Sequence, residues 1–328
     1  MEKDRMDQGP GGAEANGLAM MHELPILSFQ VEPQDAGRTY RTVLRSRYGM
    51  SRTLLRRLQR GGALHVDGRA LSVDDPAAPG ARVDVFIPYE PTPVPPEDLP
   101  VAIVHEDRHI LIANKPPGVL VHPTSMEPTG SLTAALVHHL TRTGETPFVG
   151  PVTRLDKGTS GLVLCAKNPY AHYRLSRQME SGLLERVYLA FVCGWLETDA
   201  GSIDAPVRRV EGTLSRREVG GGGQRAVTHY RVLGRYQGRG GTRASLVQVR
   251  LETGRTHQVR VHFAHVGHPL VGDGVYGAPR EGPELERPAL HGSELRFLHP
   301  VDGRALHFTA PLPGDMQDVL ARMRAVTA

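Results

Sequence analysis

The alternation of apolar and polar positions is clearest between residues 37 and 88. Two groups of apolar residues recur there at the spacing of one helix face: Tyr40, Val43, Leu44 and Tyr48, then Leu54, Leu55 and Leu58. Ser51, a preferred helix N-cap, precedes the second group, and Gly61-Gly62 follows it. Asp67-Gly68 lies between two short apolar runs, which is a strong hairpin signal, and a further strand follows over 82–87. This pattern predicts a small domain of two helices, a hairpin and a strand over 37–88.

Two segments without periodicity flank this domain. Residues 1–25 are rich in Gly, Asp, Glu, Met and Ala, a composition that predicts a disordered tail. Six prolines stand between residues 88 and 100, so we expect a semi-extended linker over 89–100. A second, larger domain is then expected over 101–328.

Short apolar runs from residue 101 onward predict strands that do not alternate regularly with helices. The strands are expected at 102–104, 110–113, 161–166, 187–193 and 246–251. One helix is expected to begin at Asn168-Pro169, and another, capped by Thr256, would bury Val259, Phe263 and Val266. Because a doubly wound parallel sheet requires regular alternation, the pattern indicates an α+β fold with a central mixed or antiparallel sheet.

The composition is typical of a globular protein without a membrane span or a secretory signal. The chain of 328 residues is 39% hydrophobic, which is ordinary for a globular protein. No apolar run is long enough to cross a bilayer, and the first residues do not resemble a secretory signal. Cys165 and Cys193 both lie in apolar runs, so we interpret them as buried core residues rather than a disulfide or metal pair, as expected of a cytoplasmic protein.

The positions of the positive charges indicate the type of partner better than the net charge does. The formal net charge is only +4, with a sequence pI of about 9.2. Between Arg38 and Arg69, however, nine arginines face one acidic residue, Asp67. Three of these arginines are spaced to form one stripe along the second predicted helix: Arg52, Arg56 and Arg60. A solvated face does not require charges of a single sign, so the stripe indicates phosphate contacts with a nucleic acid.

Three polar segments in the second domain are candidates for chemistry. The first is Asn114-Lys-Pro-Pro-Gly118 with Val121-His122-Pro123, and the last is Leu251-Glu-Thr-Gly-Arg-Thr-His-Gln-Val-Arg-Val-His262. The middle one, Pro151-Val-Thr-Arg-Leu-Asp-Lys-Gly-Thr-Ser-Gly161, is a polar loop that leads into a buried strand. A loop held rigidly at its end suits a catalytic carboxylate.

These three segments, in this order, resemble the hallmarks of the RluA-type family of RNA pseudouridine synthases. Smaller family signals follow in the expected order: Gly267-His-Pro-Leu, Gly272-Asp, Tyr276-Gly and Ala289-Leu-His291. The resemblance covers roughly residues 101–313. The 37–88 module is similar to an S4-type RNA-binding domain, which commonly precedes this catalytic domain.

The resemblance implies the reaction and its central residues. Family members convert uridine in RNA to pseudouridine: the C1′–N1 bond breaks, uracil turns over, and C5 bonds to C1′. No redox change occurs and no group is lost, so no cofactor is expected. The matched carboxylate is Asp156, which either attacks C1′ or removes the 2′ proton. Arg260 would keep this carboxylate charged, and Tyr188 would pack on uracil and help to take the C5 proton.

The resemblance also implies which residues contact RNA. Because a base inside a helix or tight loop is unreachable, it must be extruded, and Arg154 would fill the gap. Leu155 and Val259 would line the uracil pocket, and Arg255 would contact RNA. Lys115 and His122 are expected to be structural residues or phosphate contacts rather than catalytic groups. Thr153 replaces the histidine that many relatives have before Arg-Leu-Asp, which bears on substrate positioning. The expected partner is structured RNA, ribosomal or transfer, bound by a monomer without a membrane or an obligate protein partner.

Other functions were weighed against this one. Asp156-Lys157-Gly158-Thr159 resembles part of the motif of phosphorylated-aspartate ATPases, but its order differs and the expected Asn-Asp downstream is Tyr276-Gly277. Four histidines lie close together in the sequence, at 257, 262, 265 and 268, but without metal-ligand spacing, so we expect no metal. A non-catalytic RNA-binding protein is the remaining alternative, which Asp156→Ala would distinguish by loss of function at unchanged RNA affinity.

Overall fold

The computed structural model describes residues 24–213, 215–277 and 285–326. The chain divides into two compact units, Met1–Glu90 and Pro91–Ala328, so the division falls within the predicted 89–100 linker. The predicted tail over 1–25 lies outside the described residues except for its last two positions.

The N-terminal unit contains two short helices and a four-stranded antiparallel sheet. The helices are α1 (Tyr40–Ser46) and α2 (Arg52–Gly61), and the strands, paired in the order β1-β4-β2-β3, are β1 (Leu27–Gln30), β2 (Ala63–Val66), β3 (Arg69–Leu71) and β4 (Arg82–Phe86). The Ser51 hydroxyl accepts a hydrogen bond from the amide of Leu54, which confirms the predicted cap. Asp67 and Gly68 both have positive φ, as the two-residue hairpin turn requires.

Strand β1 was not foreseen from the sequence. It pairs antiparallel with β4, and Leu27 is almost fully buried. The unit therefore begins N-terminal to residue 37, where the helical periodicity begins. A 3-10 turn at Pro33–Asp35 connects β1 with α1.

The second unit is built on an 11-stranded sheet. Its main path is β10-β13-β14-β9-β15-β8-β6-β5, with β16 paired to β15, β17 to β13 and β7 to β8. The strands are β5 (Ala102–Glu106), β6 (Ile110–Lys115), β7 (Gly150–Pro151), β8 (Ser160–Ala166), β9 (Glu185–Cys193), β10 (Ala200–Asp204), β13 (Val227–Gln237), β14 (Arg243–Leu251), β15 (Leu290–Leu298), β16 (Ala305–Thr309) and β17 (Arg324–Val326). A separate two-stranded ribbon consists of β11 (Val207–Arg209) and β12 (Arg217–Val219). Because β15 runs parallel to β8 and antiparallel to β9, the sheet is mixed, as the α+β prediction allowed.

Helices cover both faces of this sheet. They are α3 (Leu132–Arg142), α4 (Pro169–Glu180), α5 (Gln258–His265) and α6 (Gly314–Ala321), and a 3-10 turn occupies Arg239–Gly241. Alternate residues of β8 belong to different cores: Val163 clusters with residues of α3 and α5, whereas Leu164 clusters with residues of α4. This arrangement explains why β8 is a continuous apolar run with every residue buried.

Helix α5 begins differently from the prediction. Thr256 does not cap it: the residue before the helix is His257, which has φ 58° and makes no side-chain cap hydrogen bond. Instead, the Gln258 side chain accepts from the amide of Arg255 and donates to the carbonyl of Val227. Val259 and Phe263 are buried as predicted, but Val266 is 42% exposed because it follows the end of the helix.

Candidate functional site

The loop that carries Asp156 joins β7 to β8 and is held from two sides. Lys115 Nζ donates to the carbonyl of Lys157 at 3.2 Å, and Arg287 Nη1 donates to the carbonyl of Gly158 at 3.2 Å. The amide of Thr159 closes the turn on the carbonyl of Asp156 at 3.0 Å. The side chains of Lys115 and Arg287 thus hold the two consecutive carbonyls that follow Asp156, so the backbone of this loop has little freedom.

Lys115, for which the sequence leaves a structural role or a phosphate contact open, lies inside the fold. The side chain is fully buried, and Nζ also donates to the carbonyls of Pro116 at 2.8 Å and Val119 at 2.7 Å. Burial lowers the pKa of Lys115 to about 7, and the nearby charge of Asp156 partly opposes this shift. All three ammonium hydrogens are thus engaged with carbonyls in this structure, an arrangement that favours the structural alternative. A lysine in a polar motif does not by itself reveal its burial.

Asp156 faces a fixed cation, as the resemblance implied. Its side chain is 27% exposed, and Arg260 Nη1 lies 3.7 Å from Oδ2. The guanidinium is held by Asp273, which accepts from Nε at 2.7 Å and from Nη2 at 2.8 Å and is itself fully buried. Burial opposes the charge of Arg260, but the hydrogen bonds and charge of Asp273 outweigh it and raise the pKa of Arg260. The sequence did not identify Asp273, although it lies in the Gly272-Asp signal.

Three predicted pocket residues come together beside this pair. Leu155, Tyr188 and Val259 are buried and belong to one hydrophobic cluster, although they come from a loop, a strand and a helix. Burial raises the pKa of the Tyr188 phenol, and the negative charge of Asp156 raises it further. Among the described residues, no hydrogen-bond partner of the Tyr188 hydroxyl is found. A neutral aromatic ring close to the carboxylate is therefore in place.

The remaining predicted contact residues of this unit are exposed. Arg154 and His122 are exposed, and neither forms an ion pair with any residue that the structure describes. Arg255 is also exposed, and its Nε donates to the carbonyl of Arg225 at 3.1 Å. These positions allow contacts with a ligand, but they do not by themselves assign any.

His257 and Tyr276 also belong to the site, and sequence reasoning missed their role. His257 Nε2 lies 3.8 Å from the same Oδ2 of Asp156 that Arg260 approaches. Its Nδ1 lies 2.8 Å from the hydroxyl of Tyr276, whose ring is 5.0 Å from the guanidinium carbon of Arg260. The signal in the sequence was the histidine two residues after Arg255, which we had considered only as a metal ligand.

Two of the other clustered histidines contact the carbonyls of different residues. His262 Nε2 lies 2.9 Å from the carbonyl of Ala205, and His268 Nδ1 lies 2.8 Å from that of Cys193. In the described ranges no group of three or more His, Cys, Asp or Glu side chains could hold a metal ion. Both cysteines are free, and burial raises the pKa of Cys165 to about 12. No helix in the described part of the chain is long and apolar enough to cross a membrane.

The arginine stripe of the N-terminal unit is exposed along α2. Arg52, Arg56 and Arg60 make no ion pair within the part of the chain that the structure describes. Three of the nine arginines counted in the sequence are neutralised by acids that lie outside the counted window: Arg41 by Asp74, and Arg38 and Arg47 by Asp35. The free positive surface is thus smaller than the count suggested, but the stripe itself remains.

Comparison with known proteins identifies the family. A family model for RNA pseudouridylate synthase matches residues 109–265, which include Lys115, Asp156, Tyr188 and Arg260. The uncharacterized RNA pseudouridine synthase YjbO of Bacillus subtilis is 38% identical over 275 residues, covering 83% of this chain and 95% of that protein. Ribosomal large subunit pseudouridine synthase D of Xylella fastidiosa is 36% identical over 325 residues, covering 94% of this chain and 96% of that protein.

A solved structure agrees with these relatives. Human RNA pseudouridylate synthase domain containing 1 is 26% identical and superimposes with a TM-score of 0.58, covering 71% of this chain and 91% of that one. The mixed sheet described above is therefore the pseudouridine synthase fold. The chain belongs to the RluA-type family of RNA pseudouridine synthases, isomerases that convert uridine in RNA to pseudouridine.

Proposed function

We propose that this protein modifies uridines of ribosomal RNA and that Asp156 is the group that acts on the extruded nucleotide. The choice of ribosomal RNA is supported by the relative named for the large ribosomal subunit, which aligns over nearly the whole of both chains. The role of Asp156 rests on one observation above all: a partly exposed carboxylate faces a buried arginine that a second, buried carboxylate holds in place.

The geometry leaves one carboxylate oxygen for the substrate. Arg260 approaches Oδ2 of Asp156, and within the described residues no ion pair involves Oδ1. In one route Oδ1 attacks C1′, uracil departs with the C1′–N1 electron pair, and C5 of the rotated base then displaces the carboxylate from C1′. In the other route Oδ1 removes the 2′ proton as the C1′–N1 bond breaks, which leaves a C1′=C2′ double bond. C5 of the rotated base then bonds to C1′ as the carboxyl group returns the proton to C2′. Both routes require an ionised carboxylate, and the guanidinium of Arg260 lies 3.7 Å from its Oδ2.

The hydrophobic cluster beside Asp156 would receive the base. Leu155 and Val259 offer apolar contacts, and Tyr188 offers a ring that stays neutral because burial raises the pKa of its phenol. A neutral phenol can stack on uracil without repelling the charge that develops on the departing base. In either route the reaction ends when C5 loses its proton and N1 gains one from solvent. Tyr188 would relay the C5 proton by giving its own hydroxyl proton to solvent as it receives that proton.

We assign RNA binding to exposed basic side chains in both units. Arg154 directly precedes the cluster residue Leu155, so it would occupy the space left by the extruded base. Arg255 and His122 would contact the flanking backbone. The N-terminal unit would act as an S4-like RNA-binding domain in which Arg52, Arg56 and Arg60 hold phosphates without reading the sequence. We infer that no cofactor or protein partner is required, because the isomerisation neither changes oxidation state nor transfers a group between molecules.

Release of tritium from RNA labelled with [5-³H]uridine tests the proposal. The substrates are ribosomal RNA and transfer RNA fractions from a cell that lacks this protein, each treated with wild type and with Asp156→Ala. We expect release from the ribosomal fraction by wild type alone. Release only from the transfer RNA fraction would overturn the choice of substrate, and release by Asp156→Ala would remove Asp156 from the mechanism.

A further inference from the structure

His257 occupies an unusual backbone conformation at the edge of the site. With φ 58° and ψ 17° it is one of two non-glycine residues of positive φ in the described chain, and the other, Asp67, lies in a hairpin turn. Residues that carry a Cβ are disfavoured at positive φ, and residues held in such strained conformations cluster at functional sites. The N-terminus of α5 is already held by Gln258, so the strain serves no capping purpose.

Hydrogen bonds around Tyr276 favour one tautomer of His257. The amide of Arg217 can only donate, and it donates to the Tyr276 hydroxyl oxygen at 3.0 Å. The hydroxyl hydrogen is then available for His257 Nδ1, which lies 2.8 Å away. A neutral imidazole that accepts at Nδ1 carries its hydrogen on Nε2. That nitrogen is the one that faces Oδ2 of Asp156 at 3.8 Å.

The charged surroundings keep this imidazole neutral. Burial lowers the pKa of His257, and the charges of Arg260 and Arg217 act in the same direction. Asp156 and Asp273 act in the opposite direction but do not outweigh burial. Near pH 7, His257 is therefore a neutral donor, whereas Arg260 supplies the positive charge.

We propose that His257 is a positioning residue whose Nε2–H is a second donor to Oδ2 of Asp156, with its tautomer set by Tyr276 and the amide of Arg217. The proposal rests on the catalytic role proposed for Asp156. Arg260 and His257 approach the same oxygen, at 3.7 Å and 3.8 Å, which turns the other oxygen toward the substrate. Both distances exceed a direct hydrogen bond by about an ångström, and catalytic hydrogen bonds commonly shorten only when the substrate binds.

Two substitutions distinguish loss of the hydrogen-bond donor from an effect on folding. Glycine tolerates positive φ, so His257→Gly removes the donor while it relieves the backbone. Tyr276→Phe keeps the ring beside Arg260 but removes the hydroxyl that sets the tautomer. His265→Ala, an exposed position at the end of the same helix, is the matched control.

We expect kcat to fall about ten- to hundredfold in His257→Gly, the range for one hydrogen bond to a charged group, and by a smaller factor in Tyr276→Phe. RNA affinity should stay unchanged, and His265→Ala should behave as wild type. Added imidazole should restore part of the activity of His257→Gly and none of that of Tyr276→Phe.

Asp156→Ala, measured beside these variants, separates this inference from the proposed function. If Asp156→Ala is inactive while His257→Gly has wild-type kcat, with or without added imidazole, His257 does not position the carboxylate and the proposed function stands. If Asp156→Ala is active, the proposed function itself fails. Should His257→Gly not fold, His257→Asn replaces it, since asparagine also tolerates positive φ, and wild-type kcat in both His257→Asn and Tyr276→Phe would overturn the inference.

Discussion

Replacing Asp273 by asparagine removes the charge that holds Arg260 in place. Asp273 is fully buried and accepts two hydrogen bonds from the guanidinium, at 2.7 Å and 2.8 Å. In Asp273→Asn the shape is kept, but one carboxylate oxygen becomes an NH2 group whose hydrogens face the cation. The buried arginine then loses its closest counter-charge and one of its two acceptors.

The size of the effect follows from the burial of the pair. Breaking a buried ion pair by removing one partner costs about 3–5 kcal/mol, because the remaining charge stays in a medium of low dielectric constant. For a unit the size of Pro91–Ala328, each kcal/mol corresponds to about 2–4 °C, so Tm should fall by roughly 6–20 °C. Turnover should fall as well, because Arg260 would no longer present Nη1 to Asp156 at a fixed distance.

Calorimetric unfolding, with tritium release measured well below the lower Tm, checks both parts. Asp199→Asn is the matched control, because Asp199 accepts from Arg235 Nη2 at 2.7 Å but is 82% exposed. Its loss should cost less than about 1 kcal/mol. A Tm of Asp273→Asn as close to wild type as that of the control would refute the reasoning, since the buried carboxylate would then contribute little to holding Arg260.

Three other changes test different parts of the structure. Alanine at all three arginines of the α2 stripe should reduce the slope of log affinity against log salt by roughly 2–3, since each phosphate contact contributes nearly one unit; an unchanged slope in filter binding would contradict phosphate contacts. Burial lowers the pKa of Lys115 from 10.5 to about 7, so between these values the unfolded state holds the proton more tightly and folding stability rises with pH. Urea unfolding at pH 7 and pH 9 should therefore show wild type gaining stability relative to Lys115→Met, and an equal difference at both pH values would count against a buried, titrating ammonium. Gly161→Ala should cost more than about 4 kcal/mol, because φ is +118° and the new Cβ would lie 2.3 Å from the carbonyl oxygen of Gly292; a wild-type Tm would show that the two strands can separate there without loss.

Local signals in the sequence were sufficient for several elements. The cap at Ser51, the hairpin turn at Asp67-Gly68 and the buried strand β8 each depend on residues that are close together in the chain. Strand β1 could not be found in this way, because its four residues are stabilised by pairing with β4, more than 50 residues away. The start of α5 was misjudged because Thr256 fits the usual cap chemistry, whereas the actual turn depends on bonds from Gln258 to β13.

In the candidate site, too, motif residues could be predicted from the sequence, whereas residues defined by their contacts could not. Asp156, Arg260 and Tyr188 were expected from motifs, and the structure brings the first two to within 3.7 Å. Asp273 bonds to Arg260, 13 residues earlier, and Tyr276 to His257, 19 residues earlier, and neither pattern nor spacing assigns these partners. For Lys115 the sequence leaves a structural role and a phosphate contact open, because it does not distinguish an exposed lysine from a buried one.

On one of its two sides the Asp156 loop is held by segments that are synthesised well after the loop itself, strand β15 and Arg287. Ser160, at its end, bonds to His291, 131 residues later, and the parallel pairing of β8 with β15 begins at this pair. At about 5–20 residues per second, the ribosome takes on the order of ten seconds to make the intervening chain. During that interval the loop lacks its parallel strand and the support of Arg287. A nascent chain therefore carries the carboxylate long before it has a site that can act on the RNA around it.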